Sequence, residues 1–168
     1  MARRCVQPFQ NIRLLMDIVK LFKDSFDTFK AFDNLTIEQV SQTSYNTPKT
    51  VWQILNHLTV WQDYQLRLLR NEFVDVDIHE IDTWTESPTV NNQKLLDEKV
   101  KEFKGQIDSI KSKINDLVQA DRGYEIKIKI VHDMALHLSF HLGEIISLRR
   151  THRNYPWPNE MEQFLKID

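Results

Sequence analysis

The sequence predicts an all-α fold, a single domain built as a four-helix bundle, and three observations carry that reading. Long stretches repeat apolar residues at alternating steps of three and four, the period of one face of a helix. Only three glycines and five prolines interrupt the 168 residues. The prolines fall between the periodic stretches, which disfavours a turn-rich β fold. Hydrophobic and charged fractions of 41% and 27% are ordinary for a globular chain of a length that buries a full core without staples.

The first helix is predicted over Phe9–Phe32, where Phe9, Ile12, Leu15, Met16, Val19, Phe22, Phe26 and Phe29 keep the helical spacing. Leu35–Gln39 reads as a short capped turn, with Thr36 as cap and Gln39 closing the box; Ser41–Thr47 is polar and reads as a loop. Thr47-Pro48 is a helix-start signal, threonine at the cap and proline at the first helical position. The second helix then runs to about Asn71 with Val51, Leu55, Leu58, Gln62, Leu66 and Leu69 on one stripe. Glu72–Val90 is long for a helix–helix connection, where about 2–8 residues is usual. Its Val74, Val76, Ile78, Ile81, Trp84 and Pro88 predict a segment that packs, either as a crossover or as a cover over a site. The third helix spans Thr89 or Asn91 to Val118 with a clean heptad, Leu96, Val100, Phe103, Ile107, Ile110, Ile114 and Leu117. Gln119–Gly123 is a turn. Tyr124–Ile130 alternates apolar and polar like a strand, but with no second strand to pair it is read as the lead-in to the fourth helix, Met134–Arg150. Arg153–Pro158 is an aromatic, proline-punctuated tail expected to dock on the bundle.

Composition narrows the function classes. With 22 basic against 24 acidic residues, a net charge of −2 and no long single-sign run, nucleic acid is disfavoured as the main partner. No 18-residue apolar run predicts a membrane span. Arg3 and Arg4 are followed by an amphipathic stretch with Lys20, Lys23 and Asp24, not by the apolar run of a signal peptide. A lone Cys5 makes an internal disulfide impossible. A cytoplasmic location is therefore the expectation.

The chemistry lies in the fourth helix. Its stripe is Ile130, Met134, His137, His141, Ile145 and Leu148, with two histidines one turn apart where a bundle ordinarily places leucine or isoleucine. A neutral imidazole buried without a partner costs about 1–3 kcal/mol. Histidines at i and i+4 project to one side and can share a cation. Two imidazoles alone bind an ion weakly, so a third ligand is expected from another helix; zinc and nickel fit nitrogen donors of this kind. His79 lies in the linker, His152 is too far along the axis, and His132 falls roughly 140° around the helix from His137. His57, inside the second helix beside Ile54, Trp61 and Leu68, is the best candidate, although periodicity alone leaves open whether it faces the core.

The stretches Trp52-Gln53-Ile54-Leu55-Asn56-His57-Leu58 and His137-Leu138-Ser139-Phe140-His141-Leu142-Gly143-Glu144-Ile145, then Leu148-Arg149-Arg150, resemble the DinB/YfiT-like superfamily of metal-binding four-helix bundles. The likeness covers nearly the whole chain by helix layout, though only these short stretches carry motif. It implies a DinB-like bundle with a long crossover between the second and third helices. It further implies a divalent ion, zinc or nickel, held by His57, His137 and His141, and a homodimer. Members with assigned activity include thiol-dependent transferases, maleylpyruvate isomerases and hydrolase-like enzymes. Leu142 and Glu144 depart from the Arg and Gln frequent at those positions, which bears on substrate contacts rather than on the histidines.

An ion held by three histidines with an open position lowers the pKa of bound water to about 7 or holds a thiol as thiolate. Glu144, seven residues after His137, is the candidate catalytic residue, as general base or as a partner orienting an imidazole; Tyr64 stands in the same relation to His57. Trp61, Trp84 and Trp157 are candidate pocket walls, against ordinary packing. Gly143 is read as a point of close helix approach, and Lys99, Lys101 and Lys104 as a solvated face. The Glu-x-x-His pairs of di-iron bundles, the His-Glu-x-x-His of zincins and the Cys-x-x-Cys-His of covalent haem are all absent from the sequence. Two classes remain. One is a metal-dependent hydrolase or S-transferase acting on a small molecule, with a low-molecular-weight thiol as possible second substrate; the other is a non-catalytic metal-binding bundle serving stress response or interaction.

Overall fold

A computed structural model describes residues 18–45, 47–74, 78–117 and 122–167. Among these residues the chain is helical, with no strand beyond an isolated bridge between Ser44 and Thr47. The elements run α1 (Ile18–Leu21), α2 (Ile37–Val40), α3 (Val51–Leu69), a 3-10 turn at Glu80–Thr83, α4 (Gln93–Asp116), α5 (Tyr124–Thr151) and α6 (Met161–Lys166).

Helix α3 is the centre of the packing, against α4 on one side and α5 on another, with α2 and the 3-10 turn also in contact. The sequence accounts for this. All six stripe residues from Val51 to Leu69 are buried, and so are Ile54 and His57 on the flank. A helix apolar on two sides serves two neighbours. From α4 come Leu96, Phe103, Ile107, Ile110 and Ile114; from α5 come Met134, Leu138, Ile145 and Leu148.

The predicted α3 start moves three residues downstream. The cap is Thr50 rather than Thr47: its hydroxyl accepts from the Gln53 N–H and Gln53 Oε1 accepts from the Thr50 N–H, both at 3.2 Å. That reciprocal pair satisfies two donors, which a proline at the first helical position does not. The Thr36–Gln39 box forms as expected. Tyr124–Ile130 is helical and continuous with the rest of α5, which is 28 residues long. Gly123 precedes it in the left-handed region, φ 77°, where a missing Cβ removes the steric penalty.

The first predicted helix is largely corrected. Residues 9–17 lie outside the described residues, and helix persists only over Ile18–Leu21. From Phe22 to Asn34 the backbone is a chain of turns, with Phe29, Lys30 and Asn34 at positive φ. Of the described stripe residues Phe22 and Phe26 are in the core, whereas Val19 and Phe29 are exposed and Phe32, off the stripe, is buried; the carbonyls a helix would use are taken from elsewhere. Arg149 Nη1 donates to the Ala31 carbonyl at 2.6 Å, and the Tyr155 hydroxyl donates to the Phe29 carbonyl at 2.5 Å. Hydrogen bonds from a charged donor are worth about twice neutral ones. The guanidinium thereby fixes a non-helical path.

Arg149 also fastens the tail, donating to Asn154 Oδ1 at 3.1 Å and to the Asn154 carbonyl at 2.8 Å. Its guanidinium lies 5.2 Å from the centroid of the buried Tyr155 ring. The tail leaves α5 through a left-handed Arg153, with the Asn154 N–H bonded to the Arg149 carbonyl and the Arg153 N–H to the Arg150 carbonyl, both at 2.9 Å. That is a Schellman stop, and it turns the chain back onto the core as the sequence led one to expect. No helix among the described residues is long and apolar enough to cross a membrane.

Candidate metal centre

Three imidazoles meet between α3 and α5. His57 comes from the second turn of α3, and His137 and His141 from successive turns of α5. His57 and His141 are buried and His137 is half-buried. Their Nε2 atoms converge: His137 Nε2 lies 3.0 Å from that of His57 and 3.1 Å from that of His141. One nitrogen of each ring lies within 4.8 Å of the other two.

The protons on these rings are set by their far nitrogens. The Thr83 hydroxyl donates to the Glu80 carbonyl at 2.5 Å, so its oxygen accepts from His57 Nδ1–H at 2.6 Å. His141 Nδ1–H donates to Glu144 Oε2 at 2.6 Å. With hydrogen on Nδ1, the Nε2 atoms of His57 and His141 are lone pairs, and both face the single Nε2 of His137. At most one proton is available to bridge three inward nitrogens. A divalent cation satisfies all three. Zinc–nitrogen bonds of about 2.0–2.1 Å at tetrahedral angles place donor nitrogens about 3.3 Å apart, close to the two short separations seen here. The three histidines therefore lie near enough to hold a metal ion.

Electrostatics favour the neutral, ligating form. Burial is the first cause that lowers the His57 pKa to about 3, with His141, His137 and Lys49 adding charge repulsion. Burial and then His141 lower His137 to about 4. At neutral pH neither ring carries the proton that would block a metal.

The cluster floors a cavity of about 530 Å³ lined by Lys49, Trp61, Gln65, Trp84, Phe140 and Glu144 among others. The Trp84 ring lies flat on His57, centroids 3.9 Å apart and planes 9° apart, and Lys49 Nζ sits 4.9 Å from the Trp84 centroid. The linker thus covers the site.

The structure brings the sequence-predicted residues together selectively. His57, His137 and His141 share one point, and Glu144 joins them through His141. His79 precedes the 3-10 turn, His152 bonds the Thr43 carbonyl, and His132 is an exposed neighbour of Asp133. Trp61 and Trp84 are cavity walls, whereas Trp157 lines a separate surface groove with Gly143. Gly143 is exposed and a Cβ there would meet nothing within 4 Å, so it is no point of close approach. Tyr64 packs edge-on against Trp61 rather than lining the cavity. Lys101 is exposed, while Lys99 and Lys104 pair with Glu102 and Asp33.

Sequence reasoning missed Thr83, Lys49 and Gln65. Gln65 falls three residues beyond the Gln62 of the α3 stripe, a spacing that could have flagged it. Thr83 closes a single 3-10 turn and Lys49 lies outside any helix, so neither belongs to a run long enough for a period to mark which side chain faces inward.

The chain matches no protein-family model, no curated protein and no solved structure. What can be stated of it is an all-α architecture with a three-histidine group able to hold a metal ion.

Proposed function

We propose that this chain is a DinB/YfiT-like metal-binding four-helix bundle, forming a homodimer. In this reading it uses a divalent ion, zinc or nickel, on His57, His137 and His141 to act on a small molecule, as a hydrolase or as an S-transferase with a low-molecular-weight thiol. One observation carries the reading: three Nε2 atoms, at most one proton between them, converge at the floor of an aromatic-walled cavity. The bundle rests on the three long helices and on the apolar period that runs through residues 9–21.

An ion bound there supplies a Lewis acid that makes water or a thiol nucleophilic near neutral pH. The chain's own groups do the rest. Thr83 and Glu144 hold two imidazoles in the ligating tautomer. Trp61, Trp84 and Phe140 give the cavity apolar walls. Glu144 commits Oε2 to His141 and leaves Oε1 to accept a proton from the nucleophile, a general-base role. Gln65 also lines the cavity.

Elemental mass spectrometry on wild type, His57→Ala, His137→Ala and His141→Ala tests the proposal. One equivalent of divalent metal in wild type, lost in all three variants, is the expected result. A wild type that takes up no metal after reloading overturns it. Metal retained in all conditions together with no hydrolysis or thiol transfer across substrate panels overturns the enzymatic part and leaves a non-catalytic metal-binding bundle.

A further inference from the structure

The segment that covers the cavity is fastened to α3 in a regular way. Thr50, Gln53 and His57 are spaced by three and four residues, so they share one face of the helix. Each bonds the crossover. The Thr50 hydroxyl donates to the Pro88 carbonyl at 2.8 Å, Gln53 Nε2 donates to the Thr85 carbonyl at 3.1 Å, and His57 Nδ1–H donates to Thr83 Oγ1 at 2.6 Å. Residue numbers rise along the helix as they fall along the crossover, so the segment is laid down in one register. All four side chains, Thr50, Gln53, His57 and Thr83, are buried.

We infer that Thr83 is the positioning residue for His57, and that the crossover through it sets the affinity of the three-histidine site. The Thr83 hydroxyl has a single proton, and that proton is committed to the Glu80 carbonyl. Its oxygen can then only accept, which obliges His57 to carry its hydrogen on Nδ1 and to present a bare Nε2 to His137. Trp84, the next residue, lies flat on the same ring, so the crossover fixes both the tautomer and the plane of the imidazole. Glu144 does the corresponding work for His141 from within α5. The two orienting groups differ in what they depend on. Glu144 is three residues from its histidine in one helix, whereas Thr83 is 26 residues away in a segment that must first be laid down. A ligand that is oriented only when the crossover is seated couples metal capture to closure of the site. Outer partners of this kind alter metal affinity by about 10–100-fold when removed.

This inference rests on the metal-site reading, and the test separates the two. Thr83→Val removes the acceptor at nearly constant volume, Thr83→Ser retains it, and Thr83→Ala removes it without requiring a methyl group to fit. Zinc affinity is measured by competition with a chelating indicator. The tautomer of His57 in the metal-free protein is read by nitrogen–proton correlation NMR of labelled imidazoles. We expect Thr83→Val and Thr83→Ala to bind zinc about 10–100-fold more weakly and to show a His57 population protonated on Nε2, while Thr83→Ser matches wild type in both. If Thr83→Val does not fold, Thr83→Ala carries the comparison. A wild type that binds zinc alongside a folded Thr83→Val of equal affinity overturns the positioning role alone. A wild type that binds no zinc but holds His57 on Nδ1 overturns the metal site and with it the coupling.

Discussion

Replacing Glu144 separates orientation of His141 from proton transfer, because alanine and glutamine remove different things. Alanine deletes the acceptor that His141 Nδ1–H reaches at 2.6 Å. A hydrogen bond to a charged group contributes about 1.5–3 kcal/mol net. The Glu144 side chain is 36% exposed, so solvent screening places the effect at the low end, about tenfold in metal affinity. Glutamine retains an acceptor oxygen but loses the charge, which halves the bond to about 0.8 kcal/mol and costs about fourfold. Turnover behaves differently, since an amide cannot take a proton. Loss of a positioned general base lowers rate by about 10²–10⁴-fold. Metal affinity by chelator competition, and rate measured with the site saturated by metal, give the two quantities separately. The expected order is a modest affinity loss for Glu144→Gln, a larger one for Glu144→Ala, and a rate collapse in both. Wild-type affinity in Glu144→Ala would refute the orienting role; a metal-saturated Glu144→Gln with wild-type turnover would refute the base.

Three further outcomes follow from the same geometry. His57 and His137 are held to about 3 and about 4 against 6.5 in the unfolded chain, so the unfolded state takes up protons that the fold refuses. The metal-free protein should therefore lose stability as pH falls from about 6.5 toward 4; a urea midpoint whose fall between pH 7 and 5 is the same in wild type and in a His57→Gln, His137→Gln double variant would contradict this. Arg149→Met leaves the Ala31 and Asn154 carbonyls without their donor and should cost about 2–4 kcal/mol in urea unfolding. Arg149→Lys should recover less than half of that, since an ammonium cannot reproduce the fork. Stripping metal should lower the thermal midpoint by about 5–10 °C when the site was loaded at a hundred times Kd; an unchanged midpoint in a protein shown to bind the ion would mean that the unfolded chain binds it equally well.

The parts of the fold legible in the sequence are those where local pattern and packing ask for the same thing. The stripe of α3 is buried as read, as are five of the seven α4 heptad residues, with Val100 and Leu117 half-buried, and the Thr36–Gln39 box closes as its spacing requires. At Tyr124–Ile130 a strand-like alternation lost to context, because α5 continues through it and among the described residues no strand is there to pair with it. At Phe22–Asn34 the pattern named the buried Phe22 and Phe26 but also the exposed Phe29, and it missed the buried Phe32 and the backbone. The deciding interactions there come from Arg149 and Tyr155, more than a hundred residues away, and no local window contains them. The same division holds for α3, where two overlapping start signals compete and the one that satisfies more backbone donors prevails.

The site divides along the same line, and the division has a physical origin. His137 and His141 were legible because a helix converts spacing into direction, and two polar residues on an apolar stripe require an explanation. His57 was legible as the one histidine in another apolar helix. Glu144 could be given two roles, and the 2.6 Å bond to His141 Nδ1 supports the orienting one directly. Thr83 was not legible, since the crossover has no period and a threonine there resembles any other loop residue. Yet the same linker was marked by its length and its apolar content as something that packs; Ile81 and Pro88 are exposed, and it packs instead through Thr83 and Trp84, the hydroxyl on His57 and the ring stacked over it. In this chain it covers His57 and supplies the partner of that ring's Nδ1.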